Sequence, residues 1–548
     1  MTSITPDPVQ KVHALFLDFV DAACDDMSSP NTPLGALLNA TRSALRELDD
    51  DALMLTAARA QQPEHAKEAI RLCAAVTRLE PQRITAWFAV GLAFQLANRH
   101  AESVEPYRRA LAIDRTFPNL RNNLATALMQ IKSNDDEVAA LLGECIEANP
   151  DDANAWINLG RLRADEADAA RPLEASRRAV ALSPRSALAL NNYSMACKEF
   201  QLWDEAARAA QDACQYAPND ASIRMNLSMT RLVRGNFAEG WADHEMRWQG
   251  SSELAAGRPA FPKPTWRGEP LAGRTLLVWG EQGMGDLLQF SRYIPLLAER
   301  VRREGGELVW NSFPQMGALL ARSMHGHYDL YTAGGPVEAL PPFDYEISLV
   351  SLPWLFDTRE DTIPGPTRYL ASEPTAAAHW RDRLAGETRL KVGLTWTGSL
   401  THKRNPYRRV GLERYARHFG GFDNVVFYSL QPGAQADVTA AREAGFEVID
   451  YTQEWKNFDD TAAFIDALDL VISVCTSAAH LAGALGQRAW VLLDVNPHWV
   501  WMLDRPDTPW YPNTTLYRQR QFRQWEPVLE NMSADLAKLA AAYRSKSA

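Results

Sequence analysis

Proline recurs at 150, 184 and 218, and the intervals are 34 residues each. Pro184 closes the phrase RRAVALSP and Pro218 closes the similar QDACQYAP. From Pro81 to Pro150 is 69 residues, two units with one extra, and RRALAIDR ends the unit between them with Arg115 in the place of proline. A repeat of this length with helical patterning cannot bury its apolar face alone, so neighbouring units must stack. That excludes a single closed core for the first half of the chain.

The period and the internal positions are those of a tetratricopeptide array. Trp87, Gly91, Phe94, Tyr107 and Ala110 fill the large, small and aromatic slots of one unit, and Trp156, Leu159, Gly160 and Ala179 those of another. A weaker unit precedes Pro81 (Leu53, Ala69, Cys73) and a degenerate one follows Pro218 (Leu227, Phe237, Trp241). Residues 50–254 are therefore expected to form a right-handed stack of helical hairpins, with residues 1–49 as a helical cap. Its concave face suits a peptide or protein partner; the alternative is an array that only supports the rest of the chain.

After about residue 255 the pattern changes. FPKPTWRGEPLAG, 261–273, reads as a linker, and short β-rich runs then alternate with helical stretches: RTLLVW at 274, ELVWNSF at 307, YEISLV at 345, KVGLTW at 391, NVVFYSL at 424, FEVIDY at 446, LDLVISV at 468 and RAWVLLD at 488. Continuous apolar runs separated by helices indicate parallel sheets covered on both faces. The polar stretch SEPTAAAHWRDRLAGETR divides the series near 380, so two Rossmann-like domains are expected, 262–378 and 379–548, facing each other across a cleft.

With 57 Lys plus Arg against 68 Asp plus Glu, the net charge of −11 argues against general binding to nucleic acid or anionic membranes. The six cysteines lack C-x-x-C spacing, and no apolar run reaches the length of a membrane span. The N-terminal MTSITPDPVQKVHALFLDF has prolines and acids where a signal peptide would be basic and then apolar. These features point to a soluble, cytoplasmic protein.

The strings GEQGMGDLLQFSRYIPLL, KVGLTWTGS, DTAAFIDALDLVISVCTSAAHLAGALGQRAWVLL and DTPWYP resemble bacterial tetratricopeptide glycosyltransferase-like proteins. The C-terminal half of those proteins is related to the ADP-heptose:lipopolysaccharide heptosyltransferases of glycosyltransferase family 9. The likeness runs from about residue 262 to 530. It implies a GT-B fold, an active site between the two Rossmann-like domains, a nucleotide-sugar substrate, and neither metal nor other cofactor. The final helix, Ser533 to Ala541, is expected to return towards the first of those domains.

The resemblance assigns roles residue by residue. Asp286, which ends the loop of Gly283 and Gly285, matches the proposed base that takes the acceptor hydroxyl's proton; an acid in the first turn of a helix would serve the dipole equally well. Thr476, Ser477 and His480 match the donor-site pattern at a strand-to-helix turn, where backbone N–H groups receive phosphate. Cys475 stands where relatives have Asp, exchanging an acceptor-only carboxylate for a weak thiol donor. His480 as a buried helix residue is the alternative. A third cluster, Thr395, Gly398 and Ser399 followed by His402-Lys403-Arg404 and Arg408-Arg409, with Gln431 after the next strand, is placed to reach the diphosphate; the pattern leaves open which cation makes the contact, Lys403 and Arg409 being the candidates taken, and a solvated basic loop is the alternative. Trp499, Trp501 and Trp510 suit packing better than a sugar platform, and His325 with His327 lacks a third ligand.

The expected function is inverting, metal-independent sugar transfer to a protein recruited by the repeats. A lipid-linked saccharide as acceptor, or a scaffold that has lost turnover, are the competing readings, with Cys475 motivating the last.

Overall fold

The computed structural model describes residues 8–25, 32–133, 135–162, 170–254, 257–281 and 283–547. Parts of the expected cap (1–7 and 26–31), and Gln282 of the glycine-rich loop, lie outside them. The chain divides into two compact units, one up to Tyr193 and one from Ser194.

The first unit is a succession of antiparallel helical hairpins, such as Ile84–Leu96 with His100–Ile113. The small slot is a steric requirement: a Cβ on Gly91 would come within 2.5 Å of the buried Tyr107 ring, whose hydroxyl donates to Gln95 Oε1 at 2.7 Å. The recurrent prolines have a second partner besides ending the preceding helix. The indole Nε1 of Trp87 donates to the carbonyl of Pro81 at 2.9 Å, and Trp156 does the same to Pro150 at 2.9 Å. Pro81 and Pro150 thus each follow one helix and fix a tryptophan in the first turn of the next.

The second unit begins within the helix Ala187–Glu199 and continues the helical pattern through Trp203–Tyr216, Ala221–Val233, Phe237–His244 and Arg247–Gly250. Two parallel sheets follow. The first holds β1 (Thr275–Trp279), β2 (Glu307–Ser312), β3 (Leu330–Ala333) and β4 (Tyr345–Ser348) in the order β3-β2-β1-β4. The second holds β5 (Leu390–Thr395), β6 (Val425–Ser429), β7 (Leu470–Val474), β8 (Ala489–Leu493) and β9 (Thr514–Arg518) in the order β6-β5-β7-β8-β9. All ladders are parallel, with Leu277 opposite Val309 and Glu346, and Ile472 opposite Leu394 and Trp490. The expected pair of separate α/β sheets is therefore present.

Two strands lie outside the expected series. β3 and β9 are edge strands, and the part-exposed side chains of Leu330–Ala333 form no continuous apolar run. FEVIDY, expected as a strand, makes only the isolated bridge Tyr428↔Ile449. The final helix, Glu526–Ser547, also departs from expectation, because it packs on the second sheet's domain and not the first. Val528, Leu529, Met532, Leu536 and Ala540 form a stripe at helical spacing that joins Leu390, Val392 and Leu394 in one core. Ser533 Oγ donates to the His418 carbonyl at 3.0 Å.

The main core of this unit draws on both sheets and on the helical segment before them. Phe237 and Trp241 share it with Phe290, Trp499 and Trp510. The Trp241 ring centroid lies 5.0 Å from that of Trp499 and 6.2 Å from that of Phe290. Trp499, Trp501 and Trp510 are all buried, so these indoles pack.

Candidate functional site

The glycine-rich turn and the Cys475-Thr476 turn both sit at the carboxyl end of a parallel strand, where such sheets leave room for ligands. β1 leads through Gly280 and Glu281 into the helix Met284–Phe290, with Gly283 at φ +100° before its first residue, a conformation that favours glycine. β7 leads through Cys475 and Thr476 into the helix Ser477–Ala484. The two helices press together. A Cβ on Gly285 would stand 2.9 Å from Cδ2 of His480, so glycine at 285 is what lets the first domain's loop reach the second domain's helix.

Asp286 lies in the first turn of its helix, half-buried, and makes no side-chain hydrogen bond to a described residue. Its pKa is raised to about 7, first by removal from water, then by the negative charges of Glu281 and Glu253, with Arg247 opposing. A carboxylate so poised can hold or accept a proton near neutral pH.

His480 is buried. Its Nδ1 meets the Tyr511 hydroxyl at 2.9 Å, its ring lies 5.3 Å from that of Trp501, and burial lowers its pKa to about 3, which leaves it neutral. Cys475 Sγ accepts from the Trp501 indole at 3.1 Å, and burial raises its thiol pKa. The thiol thus retains an acceptor role at this position. Thr476 is the residue before the helix, in extended conformation, with Oγ1 3.0 Å from Ser473 Oγ and no side-chain cap on the helix N–H groups. Ser477 opens the helix beside it.

The third cluster separates into structural and free members. Thr395 is buried at the end of β5, its hydroxyl 2.5 Å from Ser473 Oγ. Gly398 donates its N–H to Asn405 Oδ1 at 2.7 Å, and Gln431 Oε1 accepts from the backbone N–H groups of Trp396 and Thr397 at 3.3 and 3.2 Å. Ser399 pairs with Thr401 at 2.9 Å on the exposed part of the loop. Lys403 is exposed and donates to Ser252 Oγ; Arg409 is exposed.

Arg408 is half-buried where Arg409 is exposed. Its positive charge acts to lower the pKa values of Cys475, His480, His498 and His402, and its Nε is buried with no hydrogen-bond partner among the described residues. Two adjacent arginines on a short helix, Asn405–Arg408 and the residue after it, point different ways, and nothing in the motif says which faces inward. Glu281 and Arg247 were equally unmarked. Arg247 Nε lies 3.0 and 2.9 Å from the two carboxylate oxygens of Glu281, both residues are buried, and the pair connects the end of the helical segment to the glycine-rich loop.

No family model matches the chain. Protein FlbA of Caulobacter vibrioides is 28% identical over 455 residues, spanning 77% of this chain and 73% of that protein. A glycosyl transferase family 9 structure from Veillonella parvula is similar over 51% of this chain and 99% of its own, at 11% identity and a TM-score of 0.38. YrrB, described as a TPR protein with an unusual peptide-binding site, is similar over 32% of this chain and 92% of its own, at 18% identity and a TM-score of 0.27. By its own topology the chain is a helical-repeat protein joined to a pair of parallel α/β sheets. Among the described residues, no helix is long and apolar enough to cross a membrane.

Proposed function

We propose that the paired sheets transfer a sugar from a nucleotide-activated donor to an acceptor hydroxyl, and that the repeats recruit a protein as that acceptor. The observation that carries this reading is the contact of Gly285 with His480, which brings the turn bearing Asp286, a carboxylate with a raised pKa, against the helix Ser477–Ala484, whose N-terminus has no side-chain cap. Asp286 takes the proton from the acceptor hydroxyl as its oxygen attacks the anomeric carbon. The bond from that carbon to the phosphate oxygen breaks, and the nucleoside diphosphate departs with the electron pair. Its charge is met by the N–H groups of the helix Ser477–Ala484, by Thr476 and by Arg408, so the route needs no metal. Inversion at the anomeric carbon follows from a single displacement.

The arginines give a direct test. Arg408→Gln is expected to weaken nucleoside-diphosphate binding by about 1.5–3 kcal/mol, the range for a hydrogen bond to a charged group, whereas Arg409→Gln leaves it unchanged. Calorimetry with ADP, GDP and UDP reads this directly. Equal effects from both variants, or binding to neither variant nor the wild type, count against the assignment. Mass spectrometry of nucleotide sugars carried through purification identifies the donor.

The role of the repeats is tested by removing residues 1–186, which leaves the helix Ala187–Glu199 and the second compact unit whole. Transfer to a protein acceptor is expected to be lost while slow donor hydrolysis persists. Undiminished transfer by the shortened protein selects a small or lipid-linked acceptor. No donor binding and no hydrolysis or transfer with any common nucleotide sugar, together with an intact partner complex, selects the scaffold reading.

A further inference from the structure

The basic segment between Trp396 and Val410 is thinly anchored. Ser399, Lys403 and Arg409 are exposed, and Leu400 is 82% exposed. A multiple anchor in it is Arg404, which stands immediately before the helix Asn405–Arg408. Arg404 Nη1 and Nη2 donate to the two oxygens of Glu199 at 2.5 and 3.2 Å, and Nη2 also donates to Asp494 at 3.0 Å. Glu199 is the last residue of the helix Ala187–Glu199, a member of the 34-residue series. The same carboxylate accepts from Asn496 Nδ2 at 2.8 Å, so one side chain from the repeats holds both the basic segment and the loop after β8. That second loop carries His498, which also feels Arg408.

We infer that Glu199 is a positioning residue for the candidate donor site: through Arg404 and Asn496 it fixes the segment that presents Arg408 and the loop that presents His498. The inference rests on the donor-site reading above for its functional consequence, but not for its structural one. With Glu199 neutralised, Asp494 is the sole anionic partner left to Arg404 among the described residues, and an ion pair made to two loops loosens both. The helical repeats thereby contribute to nucleotide binding with a side chain that touches no nucleotide.

Full-length wild type, Glu199→Gln and Glu199→Asp are compared in two measurements. Limited trypsin digestion, with fragments mapped by mass spectrometry, reads the order of the segment, which carries cleavable bonds after Lys403, Arg404, Arg408 and Arg409. Calorimetry with ADP, GDP and UDP reads the site. Glu199→Gln is expected to speed cleavage between 403 and 410 and to weaken diphosphate binding about tenfold, an ordinary coupling within one ion-pair network, while Glu199→Asp stays nearer wild type. Unchanged cleavage in Glu199→Gln overturns the inference. Faster cleavage with full affinity overturns its functional half. Faster cleavage in a protein whose wild type binds none of the three nucleotides sustains the positioning and removes the donor reading instead. If Glu199→Gln digests throughout the chain, Glu199→Asp decides: wild-type cleavage and affinity sustain the charge requirement, and wild-type cleavage with lost affinity overturns it.

Discussion

Asp286→Asn is expected to lower turnover about 10²- to 10⁴-fold while leaving nucleotide affinity and fold intact, the range that follows loss of a general base. The amide matches the carboxylate in size, and Asp286 makes no side-chain hydrogen bond to a described residue that the change would break. The wild-type rate should rise with pH and level off above about 7, because only the ionised carboxylate accepts the proton and its pKa is raised to about 7. The sign of the stability effect is opposite. The folded protein keeps this proton to a higher pH than the unfolded chain does, so the group favours folding below the ordinary Asp range and increasingly disfavours it as pH rises towards about 7. Asp286→Asn should therefore be at least as stable as wild type at pH 8 by denaturant unfolding. A variant with full turnover, or a wild-type rate flat between pH 5 and 8, rejects Asp286 as the base.

The parts of the molecule that were legible in the sequence are those whose chemistry is local. Pro81 with Trp87 and Pro150 with Trp156 are six residues apart and bonded to each other, so a periodic reading finds both the break and the helix that follows. The interior strands are buried runs such as Leu390–Thr395 and Leu470–Val474, visible as apolar blocks. Of the four edge strands, Tyr345–Ser348 and Val425–Ser429 are still buried runs, whereas Leu330–Ala333 and Thr514–Arg518 keep part-exposed side chains and carry a weaker signal. FEVIDY shows the converse: Phe446 and Val448 are buried, yet burial of an apolar stretch does not require a ladder.

The same division runs through the candidate site. Gly283, Gly285 and the turn into Ser477 are legible because a strand, a glycine-rich or small-residue turn and a helix follow one another in the chain. Arg408 was not separable from Arg409, since their difference is rotation about a short helix. Glu199 lies 205 residues from Arg404, and Arg247 lies 34 from Glu281, so nothing local links either pair. Each of these residues stands among other polar or charged ones, as Arg404 does in THKRNPYRR, so its role becomes visible only once its partner is known.

Arg247 is where the largest stability effect is expected. It is 2% exposed, and every nitrogen of its guanidinium is bonded: Nε to Glu281 at 3.0 and 2.9 Å, Nη1 to Glu245 at 2.7 Å and to the His244 carbonyl at 3.3 Å, Nη2 to Glu281 and to Ser351 Oγ at 2.8 Å. Arg247→Met fills much of the volume but leaves Glu281 buried with, among the described residues, only the Ser348 hydroxyl as a side-chain partner, and removal of one member of such a pair costs about 3–5 kcal/mol. Denaturant unfolding of the full chain, followed by tryptophan fluorescence from the Trp241–Trp499–Trp510 cluster, measures it. The electrostatic consequence separates a bystander from a tuner of the base. Arg247 lowers the Asp286 pKa and Glu281 raises it, so Arg247→Met should move the rise of the pH–rate profile to higher pH and Glu281→Gln should move it to lower pH. Both variants perturb the same packing, so a shift in one common direction would reflect a structural disturbance, and only opposite shifts are consistent with charges acting on Asp286. Glu281→Gln should also be the milder lesion, because Arg247 retains Glu245 as an ion-pair partner and the amide can still accept from its nitrogens.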